Sequence, residues 1–225
     1  MFVKTQTEND GLVGSVTDPD PDSLRAAAVL SGFRTEVYDC LTRRADELFE
    51  LTDAVLCVDG PVHALVDLTL VPQHRRGHGA MYDGLNQGRI DVRRLRRTLA
   101  GLPLPRFGSR QLVLAVDVSP WLRSDAACSP DRLFCHVYGR AKSASQLIPG
   151  WPYSFVAVLE PGRSSWTAIL DAVRLGPADD ATALTATQLR QVVQRLIDCG
   201  QHQPGDPDIL IVCDAVTRRA AGGTW

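Results

Sequence analysis

No apolar run in the chain approaches the ~20 residues that a membrane-spanning helix needs, and no secretory signal opens it. Cys-x-x-Cys spacing is also missing. The six cysteines, Cys40, Cys57, Cys128, Cys135, Cys199 and Cys213, are scattered through helix and strand patterns. Such usage points to reduced thiols in a cytoplasmic protein. A zinc site built from Cys128, Cys135 and His136 is not expected, because adjacent residues on one strand point to opposite faces. A strong overall charge is lacking too: the formal net charge of −2 and pI near 6.2 do not by themselves suggest a polyanionic partner. Glutamate is scarce beyond the amino-terminal quarter, where Glu160 is the only one after Glu50.

The chain does have enough apolar content, 44% of 225 residues, to bury one or two cores. It also has a segregation of charge that the average conceals. Residues 1–71 carry 5 basic against 13 acidic side chains, residues 72–110 carry 9 against 2, and residues 111–225 carry 10 against 11.

Two short stretches share one design. In QLVLAVDVSPW, Leu112 to Val116 form a β-branched apolar run leading into Asp117, and in DILIVCD, Ile209 to Cys213 lead into Asp214. Runs this short suit strands buried on both faces. Neighbouring parallel strands bring their carboxyl ends to one sheet edge, where α/β folds build sites. Two aspartates brought together there would repel unless a cation lay between them. Taken alone, Asp117 reads equally well as a turn aspartate before Ser119-Pro120.

Between these stretches, Leu133 to Tyr138 and Tyr153 to Leu159 read as strands, with Ile148-Pro149-Gly150 and Glu160-Pro161-Gly162 as turn punctuation. Thr185 to Cys199 follows as a helix with Leu189, Val192, Val193, Leu196 and Ile197 at helical spacing, Thr185 as N-cap and Gly200 as the stop. The order strand, strand, strand, helix, strand is that of the front half of a ribonuclease H-like fold.

The segments QHRRGHG, GRIDVRRLRR, LVLAVDVS, SPDRLFCHVYGR, IPGWPYSFVAVLEPGR and GDPDILIVCDA resemble the DDE-superfamily transposases of bacterial insertion sequences over about Ser31 to Asp214. The resemblance implies that Asp117 is the first catalytic and metal-binding carboxylate and Asp214 the second. It implies two Mg²⁺ (or Mn²⁺) ions roughly 3.5–4 Å apart. It also implies double-stranded DNA with insertion-sequence ends as substrate, and either a homo-oligomer or a full-length transposase as protein partner. The family's third carboxylate is a glutamate well downstream of the second aspartate, and the sequence stops at Trp225. The expectation is therefore a truncated, catalytically impaired transposase, a DNA-binding remnant, or a poorly folded fragment. A haloacid dehalogenase-type phosphatase is disfavoured because Ser119 stands where its second aspartate belongs.

Three regions are expected overall in an α/β (α+β) chain: a disordered segment over 1–30, a helical DNA-binding domain over 31–106, and an incomplete ribonuclease H-like domain over 107–225. In the helical region, Val37, Leu41, Leu48, Leu51 and Val55 form a stripe across one helix, or two broken near Thr42. Gly79 to Gln87 then predicts a helix, Gly88-Arg89-Ile90 a turn, and Asp91 the N-cap of a helix over Val92 to Ala100. With Val92, Leu95 and Leu99 inward, Arg93, Arg94, Arg96 and Arg97 face outward, as in a helix-turn-helix reader of DNA. Arg75, Arg76, His78 and Arg89 add to that patch, and Arg140 and Lys142 offer two more cations beside the sheet. A solvated helix face is the plainer alternative. A protein of this kind would be cytoplasmic and nucleoid-associated.

Overall fold

A computed structural model describes residues 20–108, 110–125, 128–138, 145–162 and 167–213. The amino-terminal part is helical. Helix α1 (Pro21–Cys40) begins with proline in its first turn and ends where Leu41 turns extended. It is followed by β1 (Leu41–Arg43) and α2 (Ala45–Cys57), with Arg44 left-handed at φ 54° between them. The stripe is thus two helices, and the break resets their phase. Ala54 is consequently buried in α2 while Val55 is exposed. Residues 21–30, expected to be disordered, are the first half of α1.

A 3₁₀ turn over Leu65–Leu70 and α3 (His78–Gln87) complete a small core of Ala54, Leu68 and Met81. Gly88-Arg89-Ile90 is not a free turn. Arg89–Ile90 form β2, antiparallel to β1, and the Asp91 N–H donates to the Cys40 carbonyl at 2.7 Å. Helix α4 (Val92–Gly101) follows, capped as expected by Asp91, whose carboxylate accepts from the Arg94 N–H at 3.0 Å.

The sheet consists of β3 (Val113–Leu122), β4 (Leu133–Tyr138), β5 (Ser145–Leu159), β6 (Thr167–Arg174) and β7 (Leu210–Cys213), with α5 (Ala181–Asp198) between β6 and β7. Strand β5 pairs antiparallel with β3 on one side and, on the other, with β4 along its first half and β6 along its second. Strand β7 joins β3 in parallel, after the crossover through α5. The order β6-β5-β3-β7, with only the last pair parallel, gives the mixed α+β sheet of the ribonuclease H-like class.

Three local expectations are corrected. Strand β6 was not anticipated, because TAILDAVR carries an aspartate inside its apolar run. Ile148-Pro149-Gly150 lies within β5, not in a turn. Pro149 lacks an N–H but its carbonyl accepts from the Arg123 N–H at 2.7 Å, and Gly150 lets two backbones meet, since a Cβ there would stand 2.5 Å from the Trp121 carbonyl oxygen. The N-cap of α5 is Asp180, whose carboxylate accepts from the N–H groups of Thr182 and Ala183 at 2.9 and 3.2 Å. Thr185 is instead buried in the helix, its hydroxyl 3.2 Å from that of Ser154. The stop at Gly200 holds: it sits at φ 72°, its N–H donates to Ile197, and the Gln201 N–H donates to Leu196.

One core lies between the sheet and α5, made of Leu112, Leu114, Val116, Val156, Val158, Leu170, Val192 and Leu196. Ala100 of α4 belongs to the same core. Helix α4 therefore packs on the sheet, and no break in packing falls at residue 106. The helical and sheet regions are further joined through Asp171 of β6, 2% exposed, whose carboxylate meets Arg96 of α4 at 2.8 Å and Arg195 of α5 at 2.5 Å. Among the described residues no helix is long and apolar enough to cross a membrane.

Two stability measurements follow. Asp171→Ala strands two guanidinium groups that are mostly buried, so urea denaturation is expected to show a loss of about 3 kcal/mol or more. A loss below about 1 kcal/mol would mean that the pairing does not hold α4 to the sheet. Gly150→Ala forces the β3 and β5 backbones apart and is expected to cost roughly 1–3 kcal/mol in the same assay.

Candidate active site and basic surfaces

Asp117 lies inside β3, not at its end. The strand runs on through Ser119 and Pro120 to Leu122 because the long β5 continues to pair with it, Asp117 standing opposite Phe155 and Leu122 opposite Gly150. This rules out the turn reading of Asp117. Pleating decides which way its side chain faces: Val116 is 2% exposed in the core, so Asp117 emerges on the opposite face, where it is exposed. One carboxylate oxygen accepts the N–H of Val118 at 2.8 Å. The other has no protein partner among the described residues.

On the parallel side, Ala115 stands opposite Val212 and Val116 opposite Cys213. The two apolar runs that precede the two aspartates are thus sheet neighbours, as the sequence led one to expect. Asp214 itself lies outside the described residues. Glu160 lies at the wrong end of the sheet: β5 runs antiparallel to β3, so Glu160 is five residues beyond Phe155, roughly 16 Å from the level of Asp117.

A free carboxylate oxygen on an open face is a hard donor of the kind that Mg²⁺ and Mn²⁺ take. Among the described residues no group of three or more His, Cys, Asp or Glu side chains is placed to hold a metal ion. Zinc is poorly served, since Cys128 is exposed while burial pushes the Cys135 thiol upward, away from the thiolate that zinc requires.

The arginines divide into two groups. Arg94 of α4 pairs with Asp39 of α1 at 2.7 Å and stands 3.7 Å from Glu36. Arg96 pairs with Asp171, and Arg76 bridges Asp46 and Glu50 at 3.0 and 3.2 Å. All three are engaged in ion pairs, Arg76 and Arg94 at the surface and Arg96 mostly buried. Arg75, His78, Arg89, Arg93 and Arg97 are exposed, and their side chains have no ion pair among the described residues. Arg140 and Lys142 lie outside the described residues.

Nor do α3 and α4 form a helix-turn-helix pair. Helix α3 packs on α2, and α4 packs on α1, α5 and β6. Val92, expected on the buried face of α4, is 49% exposed, and the inward residue is Ala100.

Missed in the sequence were the residues that face α4 from α5. Gln191, Gln194 and Arg195 join Arg93, Arg96 and Arg97 around an open cleft between the two helices, with Asp91 at its rim. The signal was Asp171: a charge inside an apolar strand run requires a buried partner.

A family model described as DDE superfamily endonuclease matches residues 36–217. No curated protein and no solved structure matches the chain.

Because Asp117 is exposed and accepts only a neighbouring N–H, Asp117→Asn is expected to change stability by no more than about 0.5 kcal/mol. Urea unfolding checks this, and a larger loss would show that the residue is needed for the fold.

Proposed function

The chain belongs to the DDE superfamily of endonucleases, and we propose that within it Asp117 and Asp214 are metal-binding carboxylates for cleavage and transfer of DNA strands. The superfamily implies DNA as substrate class and divalent metal ions as cofactors. The finer reading is transposition of an insertion sequence with Mg²⁺ or Mn²⁺.

One observation carries it. Strands β3 and β7 run parallel with Val116 opposite Cys213, and each of these residues is followed directly by an aspartate. Asp117 and Asp214 thus each follow directly on the last rung of this parallel pairing. Asp117 has a free oxygen for a cation, while the Val118 N–H fixes the other oxygen and so the orientation of the carboxylate. When bound, divalent cations would supply a more acidic nucleophile and charge stabilisation for the leaving oxygen.

Such chemistry calls for a third carboxylate, and the position of Glu160 excludes it from that role. A second reading, DNA binding without cleavage, is favoured by the exposed Arg93 and Arg97 on the opposite side of the sheet.

The test is cleavage of duplex DNA carrying insertion-sequence ends in Mn²⁺, with Asp117→Ala and Asp214→Ala beside the unchanged chain. Activity, however weak, that falls at least about a hundredfold in both variants supports the metal assignment. Activity that survives either substitution refutes it. Absence of cleavage with retained salt-sensitive binding leaves the binding reading.

A further inference from the structure

We propose that the cleft between α4 and α5 binds the sugar-phosphate backbone of duplex DNA, on the sheet face opposite Asp117. The inference rests on DNA as the substrate class of the preceding reading and adds where the duplex is gripped.

The cleft has a volume of about 670 Å³ and is open to solvent. Four guanidinium groups line it, and two carboxylates balance them: Asp91 at the rim and Asp171 below. The Asp91 carboxylate is already engaged by the Arg94 N–H, and Asp171 is 2% exposed, so neither stands in the way of an anion.

Asp171 also orients part of the lining. Nη2 of Arg195 donates to one of its oxygens at 2.5 Å, and Nε of Arg96 forms an ion pair with the other at 2.8 Å. Among the described residues this leaves Nη1 of Arg96, and Nε and Nη1 of Arg195, without a protein partner. Guanidinium groups held in place lose less side-chain entropy on meeting a phosphate. Arg93 and Arg97 complete the set from the same helix, one turn apart and so about 6 Å along its axis. That interval is close to two axial steps of a DNA strand, about 3.4 Å each. The Gln191 amide adds an uncharged donor from the other wall, where the Gln194 amide already donates to Asp198 at 2.9 Å. An open cleft lined by four guanidinium groups from two helices suits a phosphate backbone lying across it better than a small anion, which would be enclosed.

The placement on the back of the sheet follows from register. Val116, Val156 and Asp171 stand in one cross-strand row facing α5, whereas Asp117, Phe155 and Ala172 form the next row and point the other way. A duplex held in the cleft is therefore gripped on the opposite side from the proposed metal carboxylates, and holding it does not occupy the cleavage face.

The experiment uses the full chain with a fluorescent duplex of about 30 base pairs, read by anisotropy in EDTA across 50–200 mM NaCl. Arg93→Ala/Arg97→Ala is compared with Arg25→Ala/Arg43→Ala, a control of equal charge loss outside the cleft. The cleft variant is expected to lose at least about tenfold in affinity at 100 mM salt and about 2 in the slope of log affinity against log salt, while the control changes little. Arg93→Lys/Arg97→Lys is expected to recover most of the slope, since it keeps the charge. Both cleft arginines are exposed, and circular dichroism confirms that the variants fold.

Equal losses in the cleft and control variants would overturn the proposal in favour of diffuse charge. Unchanged duplex binding in the cleft variant would overturn it outright. Binding is read without metal, so a chain that fails to cleave but behaves as expected here refutes only the cleavage reading.

Discussion

Asp171 is the only carboxylate buried among the described residues, and the arrangement of the rest depends on its two arginines. A buried carboxylate without partners would shed its charge or unfold its surroundings, because the desolvation penalty is several kcal/mol. Arg96 and Arg195 come from α4 and α5, so satisfying one charge on β6 fixes the seat of two helices at once. The amino-terminal helices are in turn tied to α4 by Arg94 and Asp39. That exposed pair contributes little by itself. The buried pairing, together with Ala100 in the core, attaches the helical region to the sheet.

This attachment changes the meaning of the basic segment. Helical spacing alone presents Arg93, Arg94, Arg96 and Arg97 as one outward group. In the fold they point toward three environments: Arg94 to α1, Arg96 to β6, and Arg93 and Arg97 to the cleft beside α5. Only the last pair keeps its charge available. Arg195, which comes from the far wall and belonged to no charge run, shares Asp171 with Arg96.

What could be read from the sequence was what local physics decides. The run LFCHVY is β4 with the expected bounds, Asp91 caps α4, Gly200 ends α5, and the two strands before Asp117 and Asp214 are neighbours. What could not be read depended on contacts distant in the chain. Pro149 and Gly150 look like a turn until β3 approaches close enough to need a residue without a Cβ. Thr185 looks like a cap until Ser154 takes its hydroxyl into the core. TAILDAVR looks too polar for a core strand until Arg96 and Arg195 arrive, 75 and 24 residues away in sequence. The aspartate with the most evident chemistry was found by pattern. The one that organises the packing was hidden by the same rule, since a charge in a strand is read first as a reason to reject the strand.

The two aspartates are linked through register. In a sheet with one buried face, a slip of one residue would exchange every inward side chain for an outward one. Here the inward row is Val116, Val156 and Asp171, closed at its end by two arginines that can reach only a carboxylate on that face. A slip between β5 and β6 would carry Asp171 away from both guanidinium groups and leave three charges unpaired. A slip between β3 and β5 would drive Asp117 into the core and push Val116 out. Both slips are thus penalised, the first by the buried charge and the second by Asp117 itself, and the register that survives keeps Asp117 exposed on the opposite face with an oxygen free for a ligand. The buried charge on β6 and the exposed carboxylate on β3 are thus held by two register constraints that share β5, although the two never touch.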